Sequence, residues 1–239
     1  MFRTGSLALA FAVSFPVLAL AGDNADLEIL GFSPDGGTFA FEEYGVEDGS
    51  GFPYSNIYMI ETDTDEWVEG TPVRVRLDDD AASADDARAE AKDKAQAFLD
   101  ERQIESSFFL VASNPVTEVS ADPHEVRFIP RPMVGNAISW TVSLAEKEFP
   151  ATGCPDGMGG PFQGFTLTLI DPDGNERILH DDARIPSSRV CPLRYGISDV
   201  VTAYPDGAEP VLVVIVNVFA LGFEGPNRRF LAVATHFPG

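Results

Sequence analysis

The side chains best suited to catalysis or metal binding are few in this chain. It holds three histidines, His124, His180 and His236, and none lies in an HExxH or HxH pattern or at a metal-ligand spacing from a cysteine. No G-x-S-x-G nucleophile motif occurs, and Gly49-Ser50-Gly51 is typical of a turn tip. A Ser/His/Asp arrangement assembled from distant residues stays open. The sequence therefore predicts no catalytic residue, no metal site and no cofactor.

Two glycine–phenylalanine tips combine aromatic side chains with a rigid backbone. The first is Gly51-Phe52-Pro53-Tyr54, and the second runs from Gly222 to Arg229. Because the chain is strongly acidic, the adjacent arginines of the second tip are a local exception suited to carboxylate or phosphate ligands. The alternative is that the aromatics cover the end of a sheet and the arginines pair with local acids. The ligand-binding hypothesis predicts a rim formed by Phe52, Tyr54, Phe223, Arg228 and Arg229.

Two acidic segments resemble fragments of calcium loops, namely Asp63-x-Asp65 and Asp171-x-Asp173-Gly174. An EF-hand loop needs further acidic ligands and a closing glutamate about twelve positions on, and neither segment has them. Both are better explained as turns between strands. A calcium-stabilised structural protein remains an alternative for so acidic a chain.

The first 21 residues have the pattern of a signal peptide. Arg3 supplies a positive charge, Leu7 to Leu18 is mostly apolar, and Ala19-Leu20-Ala21 has the small-x-small form of a cleavage site. The apolar run is shorter than the roughly 20 residues of a membrane span. We therefore expect export to the periplasm or the medium, no transmembrane segment after cleavage, and one mainly-β domain over residues 22–239.

The net charge of the chain limits the classes of molecule that its surface can bind. The chain carries a formal charge of −22, which repels nucleic-acid phosphates and anionic lipid, so both are excluded as partners of the bulk surface. The same charge favours cations and basic partners. The composition, 44% hydrophobic with 18 phenylalanines, is that of a globular protein with a substantial core.

Cys154 and Cys191 are the only cysteines. In an exported chain a single pair is most simply a disulfide bond, and two thiols without nearby partners fit a metal site less well. Closing this loop would stabilise the fold by about 4 kcal/mol in the chain-entropy model.

One helix is predicted, over about 84–102. Ser83 and Asp86 resemble a capping box, and alanines recur at helical spacing at positions 84, 87, 91 and 95. The narrow alanine stripe indicates close packing against a sheet, and the charged residues are expected to form a solvated face.

The other segments read mostly as strands. Val211 to Val216 is apolar without alternation, which predicts a central strand covered on both faces. Phe165 to His180 predicts a hairpin, Arg184 to Arg194 a basic loop, and Val200 to Tyr204 a strand. The predicted fold is a twisted antiparallel β-sandwich with one packed helix.

The stretch from Gly31 to Trp67 organises the chain as turn, strand, tip, strand and turn. It resembles one blade of a TolB-like or WD-like propeller, where a PDG turn precedes the inner strands. Pro34-Asp35-Gly36 precedes Gly51-Phe52 by the same 17 positions that separate Pro205-Asp206-Gly207 from Gly222-Phe223. The repeated spacing indicates two matching hairpins, which arose either by duplication or by chance. A small or incomplete propeller is therefore the alternative fold.

The segments GFSPDGGTFAFEEYGVEDGSGFPYSNIYMIE and ALGFEGPNRRFLAVAT, with the export signal, resemble the bacterial "predicted secreted protein" family of unknown function. The resemblance covers nearly the whole mature chain and implies no activity, cofactor or catalytic residue. The leading functional prediction is a non-enzymatic exported binding or interaction module. The alternatives are a hydrolase acting on envelope or extracellular polymer and the calcium-stabilised structural protein.

Overall fold

The computed structural model describes residues 22–133, 135, 138–150, 154 and 161–238, so the predicted signal peptide lies outside the described residues. Within them the chain forms one α-helix and three antiparallel sheets. In chain order the elements are β1 (Asp26–Phe32), β2 (Thr38–Val46), β3 (Pro53–Glu61), β4 (Glu66–Trp67), β5 (Val73–Arg76), α1 (Ala84–Glu101), β6 (Phe109–Ser113), β7 (Glu125–Phe128), β8 (Trp140–Phe149), β9 (Phe162–Ile170), β10 (Glu176–Asp181), β11 (Pro192–Ala203), β12 (Val211–Ala220) and β13 (Asn227–His236).

The sheets are stacked as in a sandwich. The amino sheet has the order β1-β2-β3-β4 with β5 also paired to β3, the middle sheet β10-β9-β8-β7, and the central sheet β13-β12-β11-β6. The core between the central and middle sheets contains Leu212 and Val214, whereas Val213 and Ile215 belong to the core shared with the amino sheet. Because both faces of β12 are covered, all ten of its residues are buried. This confirms the predicted central strand and the sandwich, not the propeller-like alternative.

The helix α1 lies against β3 through its alanine stripe. Ala87, Ala91 and Ala95 are fully buried, and Ser83 forms the predicted capping box with Asp86. These small side chains let the helix approach the sheet closely. The prediction that all the charges of the helix are solvated is wrong, because the Arg88 guanidinium is largely covered and binds carboxylates of the sheet beneath.

Strand β11 begins earlier than the sequence indicates. Its twelve residues start at Pro192, inside the predicted basic loop, and pair with β12 from Pro192 to Ala203. Tyr195 and Ile197 are buried in the core, so tertiary pairing overrides the local proline and arginine signals. The Sγ atoms of Cys154 and Cys191 are 2.12 Å apart, as the predicted disulfide bond requires. The bond attaches Cys154 to the residue directly before β11.

The two PDG turns lie against each other. Gly36 has a φ of +75°, and a Cβ added to it would approach the Pro205 side chain to 2.8 Å, so glycine is required by both conformation and space. The hairpins that follow, β2–β3 and β12–β13, pack together in one core. The repeated spacing thus corresponds to two neighbouring hairpins, and their origin by duplication stays a hypothesis.

Candidate functional site

Three of the five predicted rim residues meet beside the start of the described chain. Tyr54 is buried and its hydroxyl donates to Asp23 Oδ1 at 2.9 Å. The Arg229 guanidinium forms an ion pair with Asp23 and lies 4.6 Å from the centre of the Tyr54 ring. Arg228 donates to the carbonyl of Ala25 at 2.8 Å. These polar groups are therefore engaged within the chain, where they attach residues 23–25 to β13.

The other two rim residues are more exposed. The Arg76 guanidinium lies 4.7 Å from the ring centre of Phe52, and Phe223 is 91% exposed at its tip. Both tips lie at one end of the molecule: Gly22 contacts the backbone of Pro226, and residues 22–24 line a shallow depression with residues 46–51. Binding of a ligand by the whole rim stays a prediction.

A more enclosed site lies along β13, the edge strand of the central sheet. It is a cleft of about 370 Å³, which we call the β13 cleft. Residues 230–233 of β13 line its floor, and its walls come from the amino sheet on one side and from β10 and the loop after it on the other. The cleft therefore opens where backbone groups of an edge strand face away from their sheet.

The outward N–H groups of β13 are mostly capped. Phe230 N–H donates to Glu43 Oε2 at 3.0 Å, Ala234 N–H to Asp65 Oδ1 at 2.8 Å, and Arg228 N–H to the carbonyl of Asp23 at 2.8 Å. Because outward amides recur at every second residue of an antiparallel edge strand, the N–H of Ala232 also faces outward. No described group accepts a hydrogen bond from it. Within the cleft, the N–H of Ala232 is therefore an uncapped amide between the capped amides of Phe230 and Ala234.

The two capping carboxylates differ in their surroundings. Glu43 is buried and also accepts from the Tyr58 hydroxyl at 2.8 Å and from Asn56 Nδ2 at 3.1 Å, so its hydrogen-bonding capacity is used by the fold. Desolvation raises the pKa of Asp65 to about 6, against the opposing effects of the Ala234 amide and of His180. The charge of the Asp65 carboxyl group therefore changes close to neutral pH.

The wall on the amino-sheet side is aromatic. Trp67 is 48% exposed and meets Tyr58 edge to face with ring centres 6.1 Å apart. The Arg74 guanidinium lies 5.7 Å from the Trp67 ring centre and 5.9 Å from that of Tyr58. No described carboxylate lies within ion-pair distance of Arg74. The wall therefore offers a large apolar face with a cation beside it.

The opposite wall is an internally satisfied charge cluster. His180 Nε2 is 2.9 Å from Asp182 Oδ1, and Arg189 Nη1 donates to Asp182 Oδ2 at 2.6 Å. Burial disfavours the charged form of Asp182, but the hydrogen bonds from His180, Arg189 and the Phe165 amide outweigh it and hold its pKa below the usual value. This cluster supports the wall and has little capacity left for a ligand.

The predicted turns are used structurally. Asp171 Oδ1 accepts the backbone amides of Asp173 and Asn175 at 2.9 and 2.8 Å, and Asp63 Oδ1 is 2.8 Å from His236 Nε2. Among the described residues, no three His, Cys, Asp or Glu side chains are placed to share a metal ion. For the segment containing Asp65 the sequence predicts a turn between strands or, less well, a fragment of a calcium loop, and it gives no signal that Asp65 caps an edge strand 169 positions away.

The stacked antiparallel sheets, the single packed helix and the cleft along an edge strand define a mainly-β sandwich protein. The chain belongs to the family described as Predicted secreted protein (DUF2259), whose model matches residues 40–236. This confirms the family resemblance and, at the level of the family's description, the expected export. No curated protein matches the sequence. In the described part of the chain, no helix has the length and apolar character needed to cross a membrane.

Proposed function

We propose that the protein is a non-enzymatic exported binding module that holds a short extended peptide in the β13 cleft. The observation that carries the proposal is the outward N–H of Ala232, the uncapped amide between Phe230 and Ala234. A peptide laid along β13 would place a carbonyl on this N–H and donate its own amide to the outward carbonyl of Ala232, which is strand addition at a sheet edge.

The caps limit the length of the peptide. Because Glu43 and Asp65 occupy the registers on either side, two residues away, about three peptide residues can pair with β13 at roughly 3.3 Å each. The Trp67 face can cover the side chain of the middle residue. The net charge of −22 and the ionised Asp65 favour basic flanking side chains, against the opposing charge of Arg74 in the aromatic wall. The proposed ligand is therefore a short, extended, basic peptide segment, not nucleic acid.

The direct test uses two capped tripeptides, acetyl-Lys-Val-Lys-amide and acetyl-Glu-Val-Glu-amide, titrated into ¹⁵N-labelled protein. The basic probe should shift the Ala232 amide resonance, and the acidic probe should bind at least about tenfold more weakly. Ala232→Pro removes the outward N–H without removing a bond to β12, and proline is tolerated at such an edge position. This variant should lose the binding.

Side-chain variants keep the test independent of that proline. Trp67→Ala should weaken binding, whereas Phe109→Ala should not, because it removes an aromatic of similar exposure from β6, at the edge of the central sheet opposite β13. Equal binding by wild type, Ala232→Pro and Trp67→Ala would refute the proposal. Loss on Phe223→Ala with Trp67→Ala unchanged would assign binding to the predicted rim.

A hydrolase is the second candidate, favoured by one observation. Asp65 shares the cleft with the imidazole of His180, and a carboxyl group with a pKa of about 6 suits acid–base catalysis near neutral pH. Binding is the better supported function because Glu43 and Asp182 are already saturated by internal donors. Release of reducing sugars or peptides from purified cell-envelope polymer by wild type, abolished in Asp65→Asn, would support the enzyme instead.

We further propose that the module is one domain over residues 22–239, released by signal cleavage after Ala21. The family description supports export. Amino-terminal sequencing of the protein purified from periplasm and from medium tests the cleavage site and distinguishes the two locations.

A further inference from the structure

A second cleft lies on the central sheet, away from β13. It has a volume of about 370 Å³, and we call it the loop cleft. Its floor includes Gly196 of β11 and Asn217 of β12, which are paired across the two strands, and its cover is the loop 114–124. The loop is held in place because Ile197 N–H donates to the Pro123 carbonyl and Asn114 N–H to the Ser198 carbonyl, both at 2.7 Å.

Asn217 is the polar exception in an otherwise apolar central strand. It is only 2% exposed, it lines the loop cleft, and its Oδ1 accepts no hydrogen bond from any described group. Buried polar atoms of folded proteins are almost always satisfied, because an unpaired acceptor loses its bonds to water without replacement. A donor from outside the fold, either a ligand or an ordered water, would complete the hydrogen bonding of this atom.

A cation lies near this amide. Arg194 is paired with Phe219 across β11 and β12, and its guanidinium is 3.9 Å from the centre of the Phe219 ring. No described carboxylate lies within ion-pair distance of Arg194, and its stacked, planar group is suited to a carboxylate. Arg194 and Asn217 are two residues apart along the ladder, a spacing of roughly 7 Å.

The remaining walls restrict the ligand further. Glu146 Oε1 accepts the Tyr195 amide at 2.5 Å, so this carboxylate is partly used by the fold. Val116 and Val119 of the covering loop are exposed apolar side chains beside the opening. The cleft thus has an acceptor at its floor, a cation toward solvent and an apolar lip.

We propose that the loop cleft binds a small carboxylate that carries a neighbouring O–H or N–H donor, such as a hydroxy acid or an amino acid. The carboxylate lies on the Arg194 guanidinium, and the donor bonds Asn217 Oδ1. The site is separate from the β13 cleft, so either proposal can fail without the other.

The test is a series of three probes of nearly equal size: L-lactate, L-alanine and propionate. Each is titrated at millimolar concentration into ¹⁵N-labelled protein, the range expected for ligands of so few atoms. Lactate or alanine should shift the amides of residues 194–197 and 217–219. Propionate, which lacks the donor, should bind about tenfold more weakly, since it leaves Asn217 Oδ1 unpaired.

Two variants separate the role of Asn217 at the floor of the loop cleft from that of Arg194 toward solvent. Asn217→Leu should abolish the preference for lactate or alanine over propionate, and should leave the apo protein at least as resistant to heat as wild type. Arg194→Met should weaken all three probes, whereas Arg127→Met, which removes an exposed arginine from β7, should not change them.

Equal shifts by the three probes at these amides would refute the donor contact with Asn217. Absence of any shift up to solubility would refute the whole site, and would leave Asn217 with a structural water as its partner. Unchanged binding in Arg194→Met would refute the carboxylate contact. Because the wild-type probe series needs no variant, poor folding of Asn217→Leu would not prevent the test.

Discussion

The ion pair between Arg88 of α1 and Glu42 of β2 gives the most direct test of how the helix is held. Glu42 has no exposed side-chain surface, and Arg88 approaches its two carboxylate oxygens through Nε and Nη2, both at 3.1 Å. Removing one partner of a buried pair leaves an uncompensated charge and costs about 3–5 kcal/mol. Lys92 Nζ, 3.3 Å from the same carboxylate, remains in the variant, so we expect Arg88→Met to cost about 3 kcal/mol, the lower end of that range.

The assays are urea unfolding and thermal unfolding, both followed by circular dichroism, with a double-mutant cycle. For a chain of this size, a loss of about 3 kcal/mol corresponds to a decrease in Tm of roughly 6–12 °C. Lys94→Met is the matched control, because its pair with Glu90 is exposed on the same helix and is worth at most about 0.5 kcal/mol. Combining Arg88→Met with Glu42→Gln should recover more than 1 kcal/mol relative to additivity, by an order-of-magnitude estimate. Additive effects, or a cost no larger than that of Lys94→Met, would refute the reasoning.

Three further predictions concern stability. The raised pKa of Asp65 means that the folded state binds the proton of this carboxyl group more tightly than the unfolded state does, so the free energy of unfolding declines as pH rises from about 4 to 6. Asparagine is neutral and accepts the φ of +55° at this position. The stability of Asp65→Asn relative to wild type should therefore increase between pH 4 and pH 7, as measured by urea unfolding. Replacing Cys154 and Cys191 by serine should cost about 4 kcal/mol for a loop of separation 37, and denatured, unreduced wild type should show no free thiol. Ser83→Ala should lose about 1 kcal/mol with the cap, measured by thermal unfolding, and an unchanged Tm would contradict it.

Local signals in the sequence were sufficient for several elements. The apolar run at the start of β12 predicted a strand covered on both faces, and the alanines at positions 87, 91 and 95 predicted a helix lying close to a sheet. Each signal depends on neighbouring residues only. The start of β11 was missed because Pro192 and Arg194 resemble loop residues, while the pairing that makes them a strand comes from β12.

Neither candidate cleft could be predicted from the sequence. Glu43 and Phe230 are 187 positions apart, and only the packing of two sheets brings the carboxylate to the amide. Asn217 is a polar residue directly after the apolar run of β12, and this is the one local signal of the loop cleft in the sequence. The absence of a partner for its Oδ1 depends on the loop that covers it.

Acidic residues have a second role at the edge strand β13. An edge strand with open amides invites uncontrolled pairing with other chains, and charged groups placed beside it prevent this. Glu43 and Asp65 do so at Phe230 and Ala234. If protection were the whole role of this edge, a third acid or a proline would be expected at Ala232. The chain instead places an exposed aromatic wall beside that amide, which favours controlled pairing with one short peptide over simple protection of the edge.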